Sequence, residues 1–171
     1  MTSTLNSPTA PTVSGTRKTI VVGYDGSGPG LAALERGIRL APVLDCDLLL
    51  VTTWTFPQVS SVVGFGGWSP EEDAQGMVKA VIADVFPNGR PSWFRAVVVE
   101  GQSARILLEQ SHGAEMLIVG SRGHGGFAGL LLGSVSSACA EHADCPVLVM
   151  HGEPTLALAT AAPNAPVAVH V

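Results

Sequence analysis

The sequence predicts an α/β fold: an open, five-stranded parallel sheet with helices on both faces. Three observations predict it. Short runs of continuous apolar residues recur along the chain, rather than runs that alternate with polar ones. Segments with helical spacing separate them, in the order β-α-β-α-β-α-β-α-β. Strands that are apolar on both sides must be covered on both sides, which is how parallel sheets are built.

Each element has its own signal. TIVVGYD (19–25) is a buried strand running into a turn. In GLAALERGIRLAPVL (30–44), Leu31, Leu34, Ile38 and Leu40 recur at near-helical spacing. CDLLLVTTW (46–54) is the second strand, and a loop with three glycines follows over 55–69. SPEEDAQGMVKAVIADVF (69–86) opens with a strong helix start. Ser69 caps, Pro70 fits the first helical position, and Glu71, Glu72 and Asp73 fill the first turn. WFRAVVVEG (93–101) is the third strand, and SARILLEQSHG (103–113) is a short helix stopped by glycine. EMLIVG (115–120), SVSSACAEHA (134–143) and PVLVMH (146–151) supply the fourth strand, the last helix and the fifth strand. The expected strand order is 3-2-1-4-5, a Rossmann-like sheet whose order reverses between strands 1 and 4.

The chain of 171 residues suits one domain, long enough to bury roughly 70% of its unfolded surface. Residues 1–17 are rich in Ser, Thr and Pro and read as a disordered tail; 18–152 form the domain; 153–171 read as an Ala/Pro-rich second tail. The net charge of −5 and nine scattered Lys and Arg exclude the basic face that nucleic acid or an anionic membrane requires. No apolar stretch reaches the ~18 residues that span a bilayer, and the N-terminus lacks the apolar core of a secretory signal. The expected location is the cytoplasm. Cys46, Cys139 and Cys145 form no CxxC pair and read as buried thiols of a reducing compartment. No metal-ligand cluster is visible.

The stretch GSRGHGGFAGLLLGSVSSA (120–138) carries the chemistry. Six glycines fall between Gly120 and Gly133. A Walker A loop needs GxxxxGK[ST], and a nucleophile elbow needs GxSxG; neither occurs. Gly123, Gly125 and Ala128 fit GxGxxA, but after the fourth strand rather than the first. A flexible linker would not carry Phe127 and Leu130, Leu131 and Leu132. Glycines admit close backbone approach, their amides can converge on an anion, and a helix entrance at Gly133–Ser134 adds unpaired N–H donors.

Taken whole, the G-x2-G-x9-G-S spacing resembles the ATP-binding motif of the universal stress protein family. VVGYDGS (21–27) resembles that family's first strand and its Asp, and GSVSSACAEHADCPVLVM (133–150) its last helix and strand. The resemblance spans about residues 18–152. It implies a binding site for ATP with Mg²⁺, with cyclic AMP as a close variant. It places Gly23, Tyr24 and Asp25 at the first strand tip and Thr53 at the second. The phosphates would meet Gly120, Ser121, Arg122, Gly123, His124, Gly125, Gly126, Gly133, Ser134, Val135 and Ser136. Asp25 can serve ribose or adenine, or simply form the turn before Gly26. Relatives often carry Val at Thr53, so Thr is a departure that a backbone contact to adenine would tolerate. Ser134 and Ser136 read as helix caps as well as phosphate contacts. Trp54 reads as a packing residue.

No catalytic residue is assigned. The P-loop Lys is missing, Arg122 is the last Arg or Lys in the chain, and His112, His142, His151 and His170 have no evident Asp or Ser partner. The expectation is a nucleotide-binding module for stress or signalling. Its rivals are a slow ATP hydrolase and a ligand-free interaction module. The resemblance also implies a homodimer through the last strand, 146–150, whose apolar edge invites pairing; the alternative is a monomer in which the C-terminal tail folds over that edge.

Overall fold

The computed structural model describes residues 17–56, 69–123 and 131–152. The expected loop 55–69, both tails, and His124, Gly125 and Gly126 lie wholly or mostly outside them. Five strands form one parallel sheet in the order β3-β2-β1-β4-β5. The strands are β1 (Thr19–Gly23), β2 (Asp47–Trp54), β3 (Phe94–Glu100), β4 (Met116–Gly120) and β5 (Val147–Met150). The helices are α1 (Gly28–Val43), α2 (Pro70–Val85), α3 (Ser103–Gln110) and α4 (Ser134–His142).

Two cores follow from the two-residue period of the strands. Ile20, Val22, Leu48, Leu50, Phe94 and Ile118 point to one face and pack on Ala33 and Leu34 of α1 and Val78 and Val81 of α2. Val21, Val51, Leu117 and Val119 point to the other face and pack on Ile106 and Leu107 of α3 and Cys139 of α4. Both faces are therefore apolar, as the unbroken runs required. Gly37 lets α1 sit close: a Cβ there would lie 2.6 Å from Leu48 Cδ1 and 2.7 Å from Val22 Cγ2.

Helix starts differ from expectation in two places. Helix α1 begins at Gly28, not Gly30, because Ser27 caps it, its hydroxyl accepting from the Gly30 N–H at 3.1 Å. Gly28 and Gly30 mask that start in the sequence, although Pro29 suits a first turn. Gly133 occupies the N-cap position of α4 and makes no side-chain cap, so Ser134 and Ser136 are the helix's first and third residues rather than its caps. Ser69 does cap α2, accepting from the Glu72 N–H at 3.3 Å. Helix α3 ends at Gln110, and Gly113 (φ 69°) turns the chain beyond it.

Arg17, expected in the tail, is ion-paired with Asp45. Cys46 and Cys139 are buried and Cys145 half-buried, and all three are free thiols.

Candidate functional site

The central strand is short. Its pairing with β2 ends at Gly23–Val51, whereas β2 runs on beside β3 to Trp54–Glu100. Pairing with β4 ends at Val22–Ile118, and β4 continues to Gly120. A notch therefore opens beyond the tip of β1, where the strand order reverses, the place where open α/β sheets bind ligands. The Val51 C=O accepts from the Tyr24 N–H at 3.0 Å, closing β1's last turn. Backbone groups two residues apart in a strand face the same edge. The N–H and C=O of Thr53 thus face the notch, past the last β1 partner.

A cavity of about 550 Å³ fills the notch and the space before α4. Of the residues singled out in the sequence, it is lined by Gly23, Tyr24, Asp25, Thr53, Gly120, Arg122, Gly123, Gly133, Ser134, Val135 and Ser136. Two stretches about a hundred residues apart in sequence thus meet in one crevice. Ser121 is buried at its rim instead. Val51, Ser103, Leu107, Val119 and Leu132 also line the cavity and were not expected there. Val51, Leu107 and Val119 bring the α3/α4 core to the cavity as an apolar floor. For Val51 the signal was periodicity, since it lies two positions before Thr53 on the same face of β2. Ser103 follows Gly101 at the tip of β3, and only the fold brings it to Thr53.

Each tip is fixed by local bonds. Asp25 Oδ1 accepts from the Ser27 N–H at 3.0 Å and from the Ser27 hydroxyl at 2.6 Å. The turn role anticipated for Asp25 is therefore realised, and the residue also lines the cavity. Tyr24 packs on the α1/α2 core, and burial raises the pKa of its phenol, with Asp25 and Asp84 adding to the rise. The Thr52 hydroxyl donates to the Tyr24 C=O at 2.9 Å, tying strand tips 1 and 2 together.

The glycine loop is clasped at its stem. The Ser121 C=O accepts from the Gly133 N–H at 2.7 Å and from the Ser136 hydroxyl at 3.0 Å. The Ser121 N–H donates to the Met150 C=O at 2.7 Å, anchoring the stem to β5. Gly133 carries no side chain to cap α4, so the N–H groups of Ser134, Val135 and Ser136 open towards the cavity.

The reason for the glycines is close approach rather than left-handed backbone, since none of Gly120, Gly123 and Gly133 has φ in the positive range. A Cβ on Gly120 would lie 2.7 Å from the Pro29 carbonyl carbon and 2.8 Å from the Gly30 nitrogen. A Cβ on Gly123 would fall on the Asp25 carboxylate. Gly120 thus serves the packing of α1 on β4, and Gly123 the space beside Asp25.

Arg122 is exposed at the rim. Trp54 meets Phe56 edge-on, ring centroids 5.2 Å apart. One expectation about histidines is corrected: His112 Nδ1 lies 2.5 Å from Asp144 Oδ2, a pairing that distance in sequence concealed. Neither residue lines the cavity.

The sequence profile described as the universal stress protein family matches residues 16–151. Universal stress protein Rv2623 of Mycobacterium tuberculosis is 34% identical over 134 residues, covering 76% of this chain and 44% of that protein. The chain therefore spans about half the length of such curated relatives. Among solved structures, universal stress protein UspA from Lactobacillus plantarum superposes with a TM-score of 0.66 at 17% identity, covering 80% of this chain and all of that one. A universal stress protein solved in complex with cAMP gives a TM-score of 0.52 at 26% identity, covering 80% of this chain and 99% of that one. The profile reaches from just before β1 to just after β5, and the chain belongs to the universal stress protein family.

Proposed function

We propose that the crevice binds an adenine nucleotide, ATP with Mg²⁺ or cyclic AMP, and that the protein acts as a nucleotide-loaded module in stress response or signalling. The observation that carries this reading is the uncapped entrance of α4 opening into a cavity at the sheet's reversal point. Three backbone donors and the positive end of the helix dipole meet there, which favours phosphate without a lysine. At the other end, the backbone edge of Thr53 offers a donor and an acceptor to a base, above the apolar floor of Val51, Leu107 and Val119. A cavity of about 550 Å³ is of ordinary size for a small-molecule site. The similar protein solved with cAMP adds weight for an adenine nucleotide.

Among the described residues no three of His, Cys, Asp and Glu gather to hold a metal. Asp25 is the one carboxylate among them that lines the cavity. This suits a Mg²⁺ held chiefly by phosphate oxygens and water, the usual habit of that ion. The proposed role is binding, with turnover below roughly 1 per second, the low end of ordinary enzymes.

The test is to denature purified protein and measure released adenine nucleotides by mass spectrometry, then titrate apo-protein with ATP and cyclic AMP. Recovery near one nucleotide per chain, or saturable binding by the apo-protein, supports the reading. A protein that neither carries nor binds either nucleotide refutes it and leaves the ligand-free interaction module. Rapid phosphate release refutes the assignment as a binder only.

Strand β5 is half-buried along its length and, among the described residues, pairs with β4 at the edge of the sheet. We propose the cytoplasm as its location and a homodimer through residues 146–150. Light scattering after size exclusion tests the dimer, and a monomer at micromolar concentration refutes it.

A further inference from the structure

We propose that Ser103, paired with Thr53, contacts the six-position group of the bound purine, so that the site distinguishes a purine with a hydrogen-bonding group there from one without. The inference rests on the nucleotide reading above. Thr53 Oγ1 and Ser103 Oγ lie 2.7 Å apart, and either can be the donor. Both residues line the main cavity. Both also line a smaller cavity of about 330 Å³, together with Trp54, Gly101 and Gln102 and with Ser134 and Val135 at the start of α4. The pair therefore stands at the junction of the two spaces.

Its position follows from the sheet. Thr53 lies two residues after Val51, so its side chain projects on the α3/α4 face, the face of the cavity floor. Its backbone edge faces the notch. A base docked on that edge thus lies beside the hydroxyl pair, with the start of α4 bordering the same space. Ser103 is the first residue of α3, after Gln102 at the N-cap position, and its hydroxyl is hydrogen-bonded to that of Thr53.

Two hydroxyls sharing one hydrogen bond retain one proton for a third partner. If Ser103 donates to Thr53, the Thr53 proton is free; if Thr53 donates, the Ser103 proton is. The pair also keeps lone pairs that can accept. It can therefore match an amino group at the six-position of a purine by accepting, or an oxo group there by donating. The backbone edge of Thr53 has fixed polarity and cannot switch in this way. The site should accordingly sense the six-position substituent through the pair and its ring nitrogens through the backbone.

The experiment is calorimetric titration of apo wild type, Ser103→Ala and Thr53→Val with ATP, purine riboside triphosphate and inorganic tripolyphosphate. Purine riboside triphosphate lacks the six-position group, and tripolyphosphate lacks the base. Loss of one neutral hydrogen bond corresponds to roughly a 2- to 12-fold change in affinity. Ser103→Ala should weaken ATP binding about 5-fold and leave the other two ligands within about 2-fold, inside that bond's lower limit. Thr53→Val keeps shape and backbone and should weaken ATP selectively too, with losses in the double variant less than additive. Circular dichroism melts confirm that each variant is folded. Unchanged ATP affinity in both folded variants overturns the proposal while leaving the nucleotide reading intact. So does equal weakening of all three ligands, which would mark a structural role. Failure of wild type to bind any nucleotide overturns the nucleotide reading and this inference with it.

Discussion

Replacing Gly120 with alanine separates packing from binding in the glycine loop. The added Cβ would lie 2.7, 2.8 and 2.9 Å from the Pro29 carbonyl carbon, the Gly30 nitrogen and Pro29 Cβ. Optimal contact between such atoms is about 3.5–4.0 Å, so β4 and the start of α1 must part by roughly 0.5–1 Å to restore it. Two of the three obstructing atoms are backbone, in a helix turn fixed by the Ser27 cap and by Pro29. No rotamer change relieves the clash. Overpacking of this kind costs about 1–3 kcal/mol, against a total stability of about 5–15 kcal/mol. For a domain of this size each kcal/mol lowers Tm by about 2–4 °C, so Gly120→Ala should lose roughly 2–12 °C. Gly123→Ala is the contrast. Its Cβ meets the carboxylate of an exposed side chain, which can swing away. Its Tm should fall by less than about 2 °C, the span of roughly half a kcal/mol, while nucleotide affinity drops about tenfold or more as the displaced carboxylate enters the cavity, a cost of about 1.4 kcal/mol. Differential scanning calorimetry and nucleotide titration of both variants decide the matter. An unchanged Tm for Gly120→Ala, or a larger loss for Gly123→Ala than for Gly120→Ala, refutes the assignment of the two glycines.

Two further outcomes follow from the same geometry. Ser136→Ala removes a buried hydroxyl from Ser121 and Gly133, but their carbonyls keep the Gly133 and Ser137 N–H groups. The cost should be only about 0.5–1.5 kcal/mol, with faster amide exchange at Ser121 and Gly133; unchanged exchange there would show that the hydroxyl does not clasp the stem. The Cys139 thiol, buried against the α3/α4 core, has its pKa pushed up from 9.0 to about 11. The unfolded chain loses that proton first, so stability should be undiminished below pH 9 and decline as pH rises from 9 to about 11. Denaturant melts of wild type and Cys139→Ala across that range test it: if the two decline in parallel, the thiol contributes nothing to the slope.

Much of the fold was legible because the strands carry it on both sides. Ile20 and Val22 serve one core and Val21 the other, so an unbroken apolar run already states that the sheet is covered twice. The strand tips at Asp25 and Gly120 were legible for the same reason. The start of α1 was not, because two glycines conceal a helix turn whose stability comes from Ser27 and Pro29. The glycine loop was found, but for a partly different reason: composition marks missing Cβ atoms without saying what would collide with them. Gly120 answers to Pro29 and Gly30 at the start of α1, far earlier in sequence. Ser103 and the His112–Asp144 pair escaped notice altogether, since a hydroxyl or imidazole acquires a partner only when distant segments are brought together.

The clasp between Ser121 and Gly133 has a consequence for spectroscopy. Ser121 carries both connections: its N–H holds Met150 of β5, and its C=O holds the Gly133 N–H and the Ser136 hydroxyl. The edge of the sheet and the entrance of α4 therefore hang on one residue. An isotope-labelled Ser121, read by infrared spectroscopy at its carbonyl, would report events at the mouth of the crevice without adding a single atom to it.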